Sequence, residues 1–281
     1  MASCCSPAIA ASPRPGRRSP PRSADSTRST FPSTPHIPVK REAAHPRTGD
    51  ATLPDDRYTR TLDPWVSLAT AASATSRIGL ATAVALPVES DPITLAKTIA
   101  TLDLLSGARV TLGAGFGWNT EELADHGVPA DSRRTVLREY LEAMRALWTQ
   151  DHASFSGSFV NFGPSWAFPK PVQPHIPVII GAGGGPATFA WITRHADGWM
   201  TTPGELDIPG KAAALRRAWD SYRTGVPDIR VLITARPSPD DLSAWASAGV
   251  TELLWGLPDA APDAVEAYLD RLAARVARDS R

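Results

Sequence analysis

The chain has almost no cysteine: Cys4 and Cys5, side by side, are the two in 281 residues. A disulfide framework and a cysteine-built zinc site are thereby excluded. It also lacks net charge, with 29 Lys and Arg against 29 Asp and Glu. That balance argues against a dedicated binder of nucleic acid or of membrane surfaces. No apolar run approaches the ~18 residues of a membrane span, and none supplies the ~7–15-residue core of a secretory signal. A cytoplasmic location is expected. The six histidines, His36, His45, His126, His152, His175 and His195, form neither H-x-H nor H-E-x-x-H, so a catalytic metal is not expected. No G-x-S-x-G elbow is present, since Gly157-Ser158-Phe159 breaks the pattern.

What is present is unevenly distributed. Apolar residues make up 42% of the chain, enough for a sizeable core. Eight of the 27 prolines fall in residues 1–40. Residues 1–50 carry eight Lys and Arg against three acids, a charge of +5, and the remainder carries −5. Residues 1–35 are nearly all Ala, Ser, Pro, Arg and Thr. Such a stretch buries too little apolar surface to offset its ordering entropy, and it reads as a disordered head. It is rich in Arg and Ser, as a transit peptide is, but its prolines oppose the amphipathic helix of such peptides. The expected division is a head at 1–35 and a folded domain at 36–281.

From residue 63 the pattern is regular. Asp63-Pro64 and Asp91-Pro92 each place an N-cap before a proline at the first helical position. Runs at 77–86, 109–115, 177–185, 197–202, 229–235 and 250–257 read as six buried strands, each followed by a helix. Residues 154–162 read as a hairpin. The apolar stripe Val136, Leu137, Tyr140, Leu141, Met144, Leu147 and Trp148 reads as core packing of a long helix. Alternation of strands and helices implies a parallel sheet with helices outside, either an open doubly wound sheet or a (β/α)8 barrel. A barrel needs two further strands before residue 63.

Two glycine clusters stand at strand ends. Gly181-Ala182-Gly183-Gly184-Gly185-Pro186 follows a strand and opens a helix. Backbone amides at a helix start favour an anion, and a phosphate is its natural occupant. The dinucleotide fingerprint is not met, because Pro186 takes its last glycine position. Gly113-x-Gly115-x-Gly117 in GAGFGWN suggests a second approach of backbone to ligand, or a tight loop. No Walker lysine follows. The small residues of LATAVALP, 80–87, leave room for something planar at a third strand end. Trp118, Trp166 and Trp199 are candidates to line an apolar substrate pocket, or ordinary core.

The run from DPWVSLATAAS through GAGFGWNTEEL, then EYLEAMRALWTQDHASFSGSFVNF and PKPVQPHIPVIIGAGGGPATFAWITRHADGWM, resembles the luciferase-like monooxygenase family. It resembles most its branch of flavin- and deazaflavin-dependent oxidoreductases, the latter using coenzyme F420. The resemblance implies a (β/α)8 TIM barrel with cofactor at the C-terminal strand ends. It implies a phosphate on Gly181, Ala182, Gly183, Gly184 and Gly185. It also implies a ring backed by Thr82, Ala83 and Val84, a segment that often holds a non-proline cis peptide, and a further wall at Gly113, Gly115, Phe116 and Asn119. His36 matches a histidine near the reacting ring edge, as proton donor or substrate orienter. Coenzyme F420 is the implied cofactor, with FMN as the alternative, and the partner is a small organic substrate. The resemblance allows a homodimer.

The family begins with a strand, a helix and a second strand ahead of this histidine. Residues 1–35 show no strand pattern, so the first two strands are expected to be missing or replaced. An upstream frameshift in GC-rich coding sequence would give such a composition, and translating the alternative frame tests this. If the barrel is open there, a non-catalytic remnant with weak or no cofactor binding is the reading of a different class.

Overall fold

Two Asp-Pro pairs start the first two long helices. Asp63 accepts from the Val66 amide at 2.8 Å and opens α1 (Pro64–Ala74). Asp91 accepts from the Thr94 amide at 2.7 Å and opens α2 (Pro92–Ser106). In both, proline sits where a backbone N–H would have no helical partner. Gly107, at φ +69°, ends α2 in the left-handed conformation that glycine adopts without a Cβ penalty. The computed structural model describes residues 8–11, 28–31 and 35–279.

The strands are β1 (Ala8–Ala11), β2 (Arg28–Phe31), β3 (Gly79–Thr82), β4 (Val110–Ala114), β7 (Val178–Gly181), β8 (Gly198–Met200), β9 (Asp228–Ile233) and β10 (Glu252–Gly256), with β5 (Ala153–Ser156) and β6 (Asn161–Ser165) forming a separate hairpin. The remaining helices are α3 (Thr120–Asp125), α4 (Arg133–Thr149), α5 (Pro186–His195), α6 (Ile208–Asp220), α7 (Pro239–Ser247) and α8 (Pro262–Asp279). The sheet curls through β2, β3, β4, β7, β8, β9 and β10, all parallel, and β1 closes it. All six strands expected beyond residue 63 are present, and so is the hairpin. The helical stripe of α4 is core, and Trp148 of that stripe donates from Nε1 to the Ala96 carbonyl of α2 at 2.9 Å.

The head departs from expectation. It contains two strands where the sequence shows none, and β1 runs antiparallel to both of its neighbours, β10 and β2. Strand pairing uses backbone groups, which carry no sequence pattern, and the edges of β3 and β10 would otherwise leave their N–H and C=O groups unpaired. The rest of the expected disordered head lies outside the described residues, apart from Pro35. Cys4 and Cys5 lie outside them too. No helix among the described residues is long and apolar enough to cross a membrane.

Candidate functional site

Three neighbouring strands, β3, β4 and β7, end on the same side of the sheet, and their ends converge on one side chain. The peptide between Ala83 and Val84, just past β3, is cis. The Val84 side chain lies against two backbone positions. A Cβ added at Gly115 would meet its Cγ2 at 2.9 Å, and one at Gly181 would meet its Cγ1 at 2.4 Å. Thr82 donates from Oγ1 to the Gly113 carbonyl at 2.6 Å, and a Cβ at Gly113 would fall 1.9 Å from the Thr82 carbonyl oxygen. Thr82, Ala83, Val84, Gly113, Gly115 and Gly181 are therefore brought together. Ala83 and Val84 pack on Ile179, Met200 and Leu254, an apolar floor across the barrel end.

The close approach at Gly113, Gly115 and Gly181 is to the chain's own atoms. Gly117, at φ +78°, serves a turn against Leu123. Packing within the chain is by itself a reason for glycine at Gly113, Gly115 and Gly181. Gly183 and Gly185 differ, since a Cβ at either would meet nothing within 4 Å. Gly184 lies between them beneath Trp199, Lys211 and Phe189. The loop is pinned by Trp199, whose Nε1 donates to the Ala182 carbonyl at 2.8 Å. Gly185, the N-cap of α5, offers no side chain to accept from the first-turn amides. The Gly184 amide already holds an anion: it donates to Oε2 of Glu205 at 3.1 Å.

Phe116 is buried edge-on against Trp191 of α5, with the Arg134 guanidinium 4.4 Å from its ring centroid. Arg134 donates to Thr188 Oγ1 at 3.2 Å, which brings a cation to the first turn of α5. Burial holds Arg134 below the usual guanidinium range. Asn119 is 1% exposed and caps α3, its Oδ1 accepting from the Glu122 amide at 3.4 Å. Asn119 Nδ2 has no partner among the described residues.

His36 follows β2 and meets α3. Its Nε2 lies 2.9 Å from Asp125 Oδ2, and its ring packs edge-on against His126. Of the three tryptophans proposed to line a pocket, Trp199 is core, Trp118 packs edge-on against the buried His45, and Trp166 is 75% exposed.

Sequence reasoning missed several groups. Glu89, 6% exposed, has neither carboxylate oxygen hydrogen-bonded among the described residues, and burial with the Glu122 charge pushes it up to about 9. Burial pushes Glu122 up to about 7. His45 pairs with the Tyr58 hydroxyl at 2.9 Å, and burial lowers it. Glu205, Lys211 and Arg134 are charged residues in loops and helices that no local pattern sets apart.

The family model of luciferase-like monooxygenases matches residues 48–281. An uncharacterized protein of Mycobacterium tuberculosis is 64% identical over 243 residues, 86% of each chain. The F420-dependent glucose-6-phosphate dehydrogenase of Amycolatopsis mediterranei is 34% identical over 63% of this chain and 55% of its own length. The FMNH(2)-dependent dimethylsulfone monooxygenase of Pseudomonas putida is 31% identical over 50% of this chain and 42% of its own. The chain thus spans about half the length of these two relatives. Among solved structures, the monooxygenase RslO1 of Streptomyces bottropensis aligns with a TM-score of 0.58 at 26% identity, covering 70% of this chain and 62% of that one. The family match takes in every strand from β3 onward, together with both glycine loops, and the chain belongs to the luciferase-like monooxygenase family.

Proposed function

We propose that the chain is an oxidoreductase that passes a hydride between coenzyme F420 and a small organic substrate. The observation that carries this is the loop Gly181–Gly185, which leaves open space at Gly183 and Gly185 and an anion on the Gly184 amide. A carboxylate seated on a backbone amide beside an uncapped helix start is a stand-in for a phosphate. The residues present therefore fit a phosphate-bearing cofactor, whose phosphate Gly183, Gly184, Gly185 and the first turn of α5 would hold. The Ala83–Val84 segment would back its ring from the apolar floor. When bound, the deazaflavin supplies hydride chemistry, and the protein supplies position and electrostatics.

His36 holds the proton of that exchange. In the tautomer whose Nε2–H donates to Asp125, Nδ1 is the ring nitrogen left for that role. The remnant reading loses its ground in an open edge, because β1 and β2 occupy the gap between β10 and β3.

Family relatives use F420 or, in the dimethylsulfone monooxygenase, FMNH(2), so the cofactor is decided by titrating the purified chain with F420 and with FMN. Stoichiometric F420 binding with little FMN binding is expected. The reverse result would make the chain an FMN-dependent monooxygenase, and binding of neither would end the proposal. Gly183→Asp sets a carboxylate in open space at the cradle and should weaken binding at least tenfold, a loss of ~1.4 kcal/mol. Gly184→Asp is a poorer probe, since its Cβ would already lie 2.8 Å from Trp199. His36→Ala should leave cofactor binding intact.

A further inference from the structure

Glu205 lies past β8 in the turn that leads to α6. Its buried carboxylate collects three donors. Oε2 accepts from the Gly184 amide at 3.1 Å and from the Thr202 hydroxyl at 3.2 Å, and Oε1 accepts from Lys211 Nζ. Lys211 comes from the first turn of α6, and its aliphatic stem crosses the loop, with Cδ 2.9 Å from where a Gly184 Cβ would be. The group is built as an anion site: one backbone amide, one hydroxyl and one ammonium converge on two oxygens. Its occupant belongs to the chain.

An entering phosphate meets this carboxylate directly. Two anions cannot share the Gly184 amide, since like charges at such range repel and one amide proton serves one acceptor well. Lys211 is likewise committed while Glu205 holds it. Once the carboxylate turns away, the amide and the ammonium are both released at the open side of the loop. Charge-assisted hydrogen bonds to a phosphate then replace those to the carboxylate.

We propose that Glu205 is a resident anion of the phosphate cradle and Lys211 the cation it keeps in place. Phosphate enters by exchanging with the Glu205 carboxylate on the Gly184 amide and then pairs with Lys211. This rests on the reading of Gly181–Gly185 as a phosphate loop. It assigns the loop an intramolecular competitor, so affinity for the phosphate group is set below what the bare cradle would give.

The test compares the wild-type chain, Glu205→Gln and Lys211→Met by calorimetric titration. The ligands are F420 and its phosphate-free deazaflavin chromophore, FMN and riboflavin, and inorganic phosphate alone. Glu205→Gln should tighten the phosphate-bearing form of whichever cofactor binds by about tenfold, and Lys211→Met should loosen it by a similar factor. The phosphate-free partner should bind all three chains alike, which separates action at the phosphate from a general change of fold. If the phosphate-bearing cofactor binds and Glu205→Gln leaves its affinity unchanged or weaker, the exchange is wrong while the functional reading stands. If no cofactor binds, the functional reading fails and inorganic phosphate decides the exchange: tighter binding to Glu205→Gln upholds it, and equal binding to wild type and variant overturns it.

Discussion

Glu89 sits in the core with both oxygens lacking a hydrogen bond among the described residues, and its proton is the cheapest way to lose the charge. Burial first, and the Glu122 charge second, raise it from 4.5 to about 9. The folded state thus keeps a proton that the unfolded state releases above pH 4.5. Stability from this group is full below that value and is lost as pH rises toward 9. Glu122, raised to about 7, adds the same trend over a narrower range. Glu89→Gln keeps the shape and removes the titration. Thermal melts should show the variant unchanged at pH 4.5 and several degrees more stable at pH 9, at about 2–4 °C per kcal/mol for a domain of this size. A melting profile parallel to wild type over that range would show that Glu89 does not titrate as described. No local pattern in the sequence marks Glu89, because a short 3-10 turn carries no periodicity and tertiary packing alone buries the side chain.

The β5–β6 hairpin depends on a carboxylate from another element. Glu139 of α4 accepts from the amides of Ser158, Phe159 and Val160 at 3.1, 2.7 and 3.3 Å. Burial opposes its charge, but these three bonds outweigh it and hold the carboxyl below 4.5. Its contribution is therefore present above that value and is lost as pH falls. Gly157 leaves room for it, since a Cβ there would stand 2.3 Å from Glu139 Oε2. Gly157→Ala cannot be relieved by a carboxylate fixed on three amides, so it should cost about 1–3 kcal/mol. Amide exchange at Ser158–Val160 should quicken in both Gly157→Ala and Glu139→Gln. Unchanged protection there would mean that the hairpin stands without α4. The hairpin itself was legible from SFSGSFVNF, as the strands were from their buried runs and α1 and α2 from their Asp-Pro starts. The Glu139 anchor was not, because it joins residues far apart in sequence that no local period connects. Likewise the loop Gly181–Gly185 was legible from its composition, whereas its carboxylate was not, since Glu205 looks in sequence like any solvated loop acid.

At the scale of the whole molecule, closure of the sheet rests on the part of the chain least like a folded protein. The strand order from β3 to β10 follows from the alternation of buried runs and helices, and right-handed crossovers leave it little freedom. What fills the gap between β10 and β3 was invisible, because Ala8–Ala11 and Arg28–Phe31 are short and sit among prolines and arginines. β1 lies between two partners, with Ile9 opposite Trp255 on one side and Ser29 on the other. In such a strand successive backbone N–H groups point alternately to the two neighbours, so every interior N–H is used. A proline within it must delete a ladder bond on one side or the other. Ile9→Pro is therefore expected to cost about 2 kcal/mol or more, a fall in Tm of ~4–8 °C. Deleting residues 1–34 should go further, exposing the edges of β3 and β10 and raising light scattering on heating. If Ile9→Pro melts with wild type and the deletion stays monodisperse, the parallel strands from β3 to β10 are self-sufficient and β1 and β2 contribute nothing to closure.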